Sequence, residues 1–402
     1  MPAFESVVTG FKPKERIWSL AYSLLCMRYC AELSYRDAAS LINAALRRTE
    51  ESFMKTRTLA DFVGRMGCQI QDHLEAVTDK VLKDNNYEPA NDDADAGSRD
   101  CGAEATPSPT AEQKEWDDEI AKKAEFINAQ RESREQINDL GRYPRMESPK
   151  DKCCYISIDD VGVKHQKETR KDGGSKNGKY VNNTVVHVQS GGENYCLTAS
   201  GMEGAFRMLV AFLLSNGLIH GHSMVFLADG AKDIRCYIDK YFSQYPYTLI
   251  LDWYHLRKKC KELISSSLKG TVGQKKEYVQ SLLRMLWVGN VKEALVYLSG
   301  FDASQIKSAH WLESLTGYLE RKQPQIVCYA LRHEFGLRIS SNRVEKSNDL
   351  LVAQRQKHNG MSWSFKGSGS LASIAMIMQN DDADQWLRTH TLSFSFPEKK
   401  AA

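Results

Sequence analysis

The chain predicts an α/β core carrying an all-α insertion and preceded by an all-α module. Three observations lead there. Five short strand-like apolar runs alternate with helical patterns after residue 150. Helical periodicity dominates before residue 87 and again over about 259–336. An acidic stretch almost free of large apolar residues lies between the two regimes.

Residues 1–87 read as the first module. Arg16–Cys30 places Ile17, Leu20, Ala21, Leu24, Leu25 and Met27 on one wide face. Ser34 is a good N-cap for a second helix, and Asp37 at its N3 position favours the positive helix end. Met54–Met66 gives a further helix with Lys55, Thr56, Arg57 and Thr58 at its start. A helix, a short turn and a second helix opening on small polar and basic residues is the layout of a helix-turn-helix. Its second helix would bring Lys55 and Arg57 to DNA. An ordinary three-helix bundle satisfies the same pattern.

Residues 88–150 read as an acidic linker, with 9 basic against 16 acidic side chains. Glu88–Thr110 has no Leu, Ile, Val, Phe, Tyr or Trp and holds three prolines. Such a stretch cannot bury enough apolar surface to offset its ordering entropy and is expected to be disordered. Ala111–Asp139, rich in Glu, Lys, Ala and Gln, is expected to be helical but solvated.

The strand-like runs begin with Tyr155–Asp159. Thr184–Gln189 and Asn194–Ala199 follow, split by Ser190-Gly191-Gly192, then a helix over Met202–Leu214. Met224–Gly230 reads as a buried strand, Ala231–Phe242 as a helix and Tyr247–Leu251 as the last strand. Three strands, a helix, a strand, a helix and a strand is the order of an RNase H-like sheet. The core is expected over 151–258, a helical insertion over 259–340, and the rest of the core over 341–402.

Composition excludes several classes. No apolar run reaches the roughly 18 to 20 residues of a membrane-spanning helix. Ten cysteines are scattered without a C-x-x-C pair, which points to a reduced, cytoplasmic chain with no cysteine zinc site. The net charge of +3 hides an uneven distribution: +1 over 1–87, −7 over 88–150 and +9 over 151–402.

The chemistry-bearing residues are acids at strand ends. Asp159, Asp229 and Asp252 each end a strand-like run, and Glu345 lies in the helical run Asn342–Gln356. Open α/β sheets place their sites at such ends. Asp159, Asp229 and Glu345 would form a three-carboxylate set able to hold two divalent ions for in-line phosphoryl transfer. Hard oxygen donors suit Mg²⁺ or Mn²⁺. Asp159 and Asp160 point to opposite faces, and parity alone leaves open which is the first acid. Asp349, one helical turn past Glu345, is an alternative third acid. Asp252 and His255 read as supporting the site or as a helix cap and core edge. Lys164–Lys179 holds six basic residues, Lys164, Lys167, Arg170 and Lys171 among them, which would track DNA phosphates or form a solvated hairpin tip. Trp363 reads as a core residue.

Asp159 with Val163-Lys164, Asp229-Gly230-Ala231, Asp252-Trp253-Tyr254-His255-Leu256, Val344-Glu345-Lys346-Ser347-Asn348 and Gly360-Met361-Ser362-Trp363-Ser364 together resemble a DDE transposase. The resemblance is to the Mutator-like group of bacterial insertion-sequence transposases and their relatives, whose [C/D]-x-x-H element is similar to residues 252–255. It spans Cys154 to about Trp386 and, less specifically, residues 16–70. It implies Asp159, Asp229 and Glu345 as the catalytic, metal-binding acids, with Asp252, His255 and Asp160 in support. It also implies a transposase cutting element ends and joining them to target DNA, double-stranded DNA as partner, a homodimer or higher assembly on DNA, and nucleoid association when bound. The alternatives are a catalytically silent, domesticated DNA-binding protein and an RNase H-like nuclease or resolvase.

Overall fold

A computed structural model describes residues 18–46, 54–90, 111–138, 140, 146–148, 152–166, 180–357 and 361–396. Lys167, Arg170 and Lys171, and residues 91–110 of the expected disordered stretch, lie outside the described residues.

Five strands form one mixed sheet in the order β3-β2-β1-β4-β5. They are β1 (Cys153–Lys164), β2 (Tyr180–Ser190), β3 (Glu193–Ala199), β4 (Ser223–Ala228) and β5 (Tyr247–Leu251). β2 pairs antiparallel with both β1 and β3, whereas β1–β4 and β4–β5 are parallel. That order is compatible with an α/β RNase H-like core. The β2–β3 hairpin closes through Gly191 and Gly192, both at positive φ, as a two-residue loop between paired Ser190 and Glu193 requires.

Alternation along β4 divides the apolar interior in two. Met224, Phe226 and Ala228 enter one core, and Val225 and Leu227 the other. The first core lies under the N-terminal helices α1 (Leu20–Glu32), α2 (Tyr35–Ala45) and α3 (Thr56–Asp84), with α5 (Met202–Ser215) and α6 (Lys232–Phe242). The second lies under α7 (Trp253–Ser267), α8 (Val272–Trp287), α9 (Val291–Ser299) and α10 (Ala309–Lys322). Short α11 (Tyr329–Glu334) and α12 (Asn342–Asn348) lead back to the sheet, followed by α13 (Phe365–Gln379) and α14 (Ala383–Thr389).

The front helices differ from the sequence expectation. Ser34 does cap α2, accepting from Asp37 N at 3.1 Å. However, α3 runs 29 residues instead of ending near Met66, and Leu59, Phe62, Val63, Ile70, Leu74 and Leu82 make a continuous buried stripe on it. Gly67 lets α3 approach α13 so closely that a Cβ there would fall 2.3 Å from Ser370 O. The three helices therefore share one core with the sheet, and a separate helix-turn-helix is not shown by this packing. Only the opening of α3 is presented outward, where Arg57 is 92% exposed and pairs with Asp61 at 3.8 Å.

The helix over 111–139 also departs from expectation. α4 (Ala111–Asn128) is not fully solvated, because Trp116, Ala124 and Ile127 bury against Val288, Cys328 and Leu331 of the insertion. Three apolar side chains at helical spacing suffice to dock an otherwise charged helix. The expected core–insertion boundary at 258/259 falls inside α7, which is continuous.

Candidate active site

The acids are assembled by sheet register. β1 and β4 run parallel from Cys153↔Ser223 to Ser157↔Leu227, a constant offset of 70 residues. Continued two residues past the last pair, the same offset brings Asp159 level with Asp229, one residue beyond the end of β4, and the Asp229 charge acts on Asp159 while β1 continues on to Lys164. Alternation directs Asp159 to the face of Val225 and Leu227, and Asp229 lines the cleft there with His255 and Lys258 of α7. Asp160 takes the opposite face, where it accepts from the Thr184 hydroxyl and feels Asp233 of α6.

Asp159 is held at both carboxylate oxygens. Its Oδ1 accepts from Asp160 N at 2.8 Å and its Oδ2 from Asn348 Nδ2 at 2.5 Å. Burial first, and then the Asp229 charge, push its carboxyl up to about 6 against the opposing Asp160 N–H and His255. Asp229 Oδ1 accepts from Ala231 N at 2.7 Å.

Asp252, 1% exposed, continues β5 and accepts at both oxygens. Oδ1 caps α7 through His255 N at 2.8 Å, and Oδ2 accepts from Ser341 N and from Ser341 Oγ at 3.0 Å. Burial alone would raise this carboxyl. The bonds from His255 and Ser341 outweigh burial and hold it below its ordinary range. Because Ser341 immediately precedes α12, Asp252 both caps one helix and fixes the start of the next.

α12 carries Glu345 and, three residues on and on the same face, Asn348. His255 spans the gap. Its Nδ1 lies 3.3 Å from Asp252 Oδ1, an ion-pair approach without hydrogen-bond geometry, and its Nε2 lies 3.9 Å from Glu345 Oε1. Contact with Asp252, and at longer range Asp229 and Glu345, raise the imidazole above its ordinary value against the effect of burial. Just past α12, Asp349–Ala353 form a π-helix, a device frequent at functional sites. An open cleft of about 340 Å³ borders the site, lined by Asp229, His255, Lys258, Lys259 and Tyr318 among others.

The carboxylates match a hard divalent ion in donor type, and Asp159 beside Asp229 is a like-charged pair that a cation would neutralise. The grouping is open: among the described residues no three His, Cys, Asp or Glu side chains lie close enough to hold one ion. Glu345, 54% exposed, inclines toward His255.

Comparisons with known proteins add little to this geometry. No family model matches the chain, and no curated protein matches it. Among solved structures it is similar to the Drosophila P element transposase strand transfer complex, at a TM-score of 0.26 and 9% identity. That alignment covers 98% of this chain and 86% of the other. A likeness at that score carries no argument, so function is read from the site.

Of the other residues singled out in the sequence, Lys55 and Arg57 sit exposed at the start of α3. Lys164 ends β1, its carbonyl accepting from Trp363 N at 2.8 Å, and Trp363 is buried as expected. Sequence reasoning gave no role to Asn348 or Ser341. The helical spacing of Asn348 from Glu345 was the available signal for the first, and nothing local signals the second. No described helix is long and apolar enough to cross a membrane.

Proposed function

We propose that the chain is a DNA transposase of the DDE type, cleaving strands at element ends and joining the freed 3′-hydroxyl to target DNA. Asp159, Asp229 and Glu345 are the residues that would hold two Mg²⁺ or Mn²⁺ ions. The observation that carries the reading is the parallel register aligning Asp159 with Asp229 on one face, with Glu345 facing them through His255 and Asn348. Asp159 and Asp229, 70 residues apart, have no local structural reason to share one sheet edge. With divalent ions bound, this edge would gain Lewis-acid stabilisation of the attacking and leaving oxygens of an in-line transfer.

The chain's own side chains do the positioning. Asn348 orients Asp159, Asp252 anchors the entry to α12, and His255 holds Glu345 over the sheet edge. Lys55, Arg57 and Lys164 belong to the proposed DNA contacts, with Lys167, Arg170 and Lys171, and so does a helix-turn-helix role for α2 and α3. Assembly as a dimer or higher on DNA is part of the same proposal.

A catalytically silent DNA-binding protein is the second reading, favoured by the open grouping of the acids among the described residues. The full chain, incubated with DNA carrying the sequences that flank its gene, separates the two. Nicking that requires Mg²⁺ and disappears in Asp229→Asn supports the transposase. Salt-sensitive binding without nicking supports the silent protein, and absence of both discards the two readings together.

A further inference from the structure

The acid edge is flanked by cations that make no ion pair among the described residues. On the β2 side, residues opposite one another on β1 and β2 share a face, so His187 and Gln189 lie on the Asp159 face beside Ser157 and Tyr155. Over them come Arg338, from the α11–α12 connection, and Arg343, from the first turn of α12. Arg338 donates to Gln189 Oε1 at 2.5 Å. Burial first, then Arg343 and Arg338, lower His187 to about 4, so the cluster carries two guanidinium charges over a neutral imidazole. Neither arginine makes an ion pair among the described residues.

On the β5 side the cation comes from the insertion. Gly230 follows Asp229 at φ +88, and a Cβ there would lie 3.4 Å from Lys322 Cε and 3.7 Å from its Nζ. The last residue of α10 therefore lies with its ammonium close to the backbone beside Asp229. Tyr318, one turn earlier on α10, lines the adjoining cleft with Lys258 and Lys259 of α7. Lys322, Lys258 and Lys259 also make no ion pair among the described residues. Burial, with Arg235 and Arg321 nearby, pulls Lys322 below the ordinary lysine range although Asp229 acts the other way.

Arg338 and Lys322 are half-buried, and Arg343, Lys258 and Lys259 are exposed. Although Asp229 and Glu262 share the cleft with the lysines, none of the five is ion-paired among the described residues, so each is free to meet an anion. Here they stand on both sides of a site read as acting on a phosphodiester. We propose that these two banks bind the phosphates on either side of the reacting phosphate of a DNA strand. Arg338 and Arg343 take one side, and Lys322, with Lys258 and Lys259, takes the other. The strand would then cross the sheet edge from β2 toward β5, over the acids. This inference rests on the functional reading above and adds the path of the substrate.

The test is the salt dependence of binding between the full chain and a fluorescently labelled mixed-sequence duplex, in EDTA so that no cleavage intervenes. Each phosphate contact contributes about 0.9 to the slope of log affinity against log salt. Arg343→Gln and Lys322→Gln should each lower the slope by about one such step. Arg343→Lys and Lys322→Arg should keep it, with circular dichroism verifying the fold of each variant. Arg207→Gln is the control, since Arg207 is paired with Asp79 at 2.6 Å on an outer helix, and should leave the slope unchanged. Wild-type slope in both bank variants overturns the proposal while leaving DNA binding intact. A reduced slope in only one bank overturns the flanking arrangement. No salt-dependent binding by the wild type overturns this inference and the transposase reading together.

Discussion

Replacing Asp252 by asparagine tests how the site is held, because the two side chains differ by little but charge and one acceptor. The carboxylate takes three donors: His255 N, Ser341 N and Ser341 Oγ. Asparagine offers one oxygen, so either the cap of α7 or the Ser341 pair is lost, and an NH₂ group then faces a donor. Hydrogen bonds to a charged group contribute about 1.5–3 kcal/mol, and an orphaned buried donor costs about 1–3 kcal/mol. The side chain is 1% exposed, so water does not compensate. We expect a loss of about 3 kcal/mol, a large part of the roughly 5–15 kcal/mol available to a folded protein. Urea unfolding followed by tryptophan fluorescence measures it as a lowered midpoint at unchanged slope. Strand cleavage should fall as well, since Ser341 fixes the start of the helix that carries Glu345. A stability change under about 1 kcal/mol would refute the claim that Asp252 clamps the β5 end to α12.

Other consequences are as concrete. Gly67→Val forces a side chain into the Ser370 backbone and should destabilise by about 1–3 kcal/mol, whereas an independent N-terminal module would melt separately and leave the core transition unmoved. Arg332→Met strands Glu147, which it binds through two hydrogen bonds at 2–3% side-chain exposure, and should cost about 3–5 kcal/mol in thermal or chemical unfolding. In the wild type, burial would raise Glu147 but Arg332 and Tyr155 lower it below 4.5. Its stabilisation is therefore present above that value and lost as pH falls through the lower folded-state value, which a pH series of melting temperatures would detect. Charge removal at both Lys55 and Arg57 should reduce the salt slope of DNA binding by up to about two contacts if the start of α3 meets phosphate; an unchanged slope removes that surface from the DNA path.

The strands were legible because a buried strand needs a short apolar run, and Met224–Leu227 and Tyr247–Leu251 supply little else. The candidate acids were legible for a related reason, as polar residues closing such runs. What local sequence does not encode is register. The offset of 70 residues between β1 and β4 equals the Asp159–Asp229 spacing, yet only pairing through Ser157↔Leu227 shows that the two share a face. Asp159 and Asp160 likewise separate only once Thr184 is seen across the antiparallel pair. The N-terminal helices were visible, but their partner was not. α3 has the periodicity of any amphipathic helix, and its docking depends on Gly67 meeting Ser370 some three hundred residues later. Lys322 and Arg338 escaped notice for the same reason, since each reaches the acid edge through tertiary packing.

Divalent-ion binding measures the central claim most directly. Mn²⁺ titrated into the full chain, followed by calorimetry, should show saturable binding that weakens at least tenfold in Asp159→Asn and in Glu345→Gln, a loss no smaller than removal of supporting ligands elsewhere produces. Asp160→Asn and Asp349→Asn should bind as the wild type does, because Asp160 faces the other side of the sheet and Asp349 lies past the helix that aims Glu345. Equal binding by wild type, Asp159→Asn and Glu345→Gln, or loss in Asp349→Asn alone, would contradict the assignment of Asp159, Asp229 and Glu345 as the metal-holding acids.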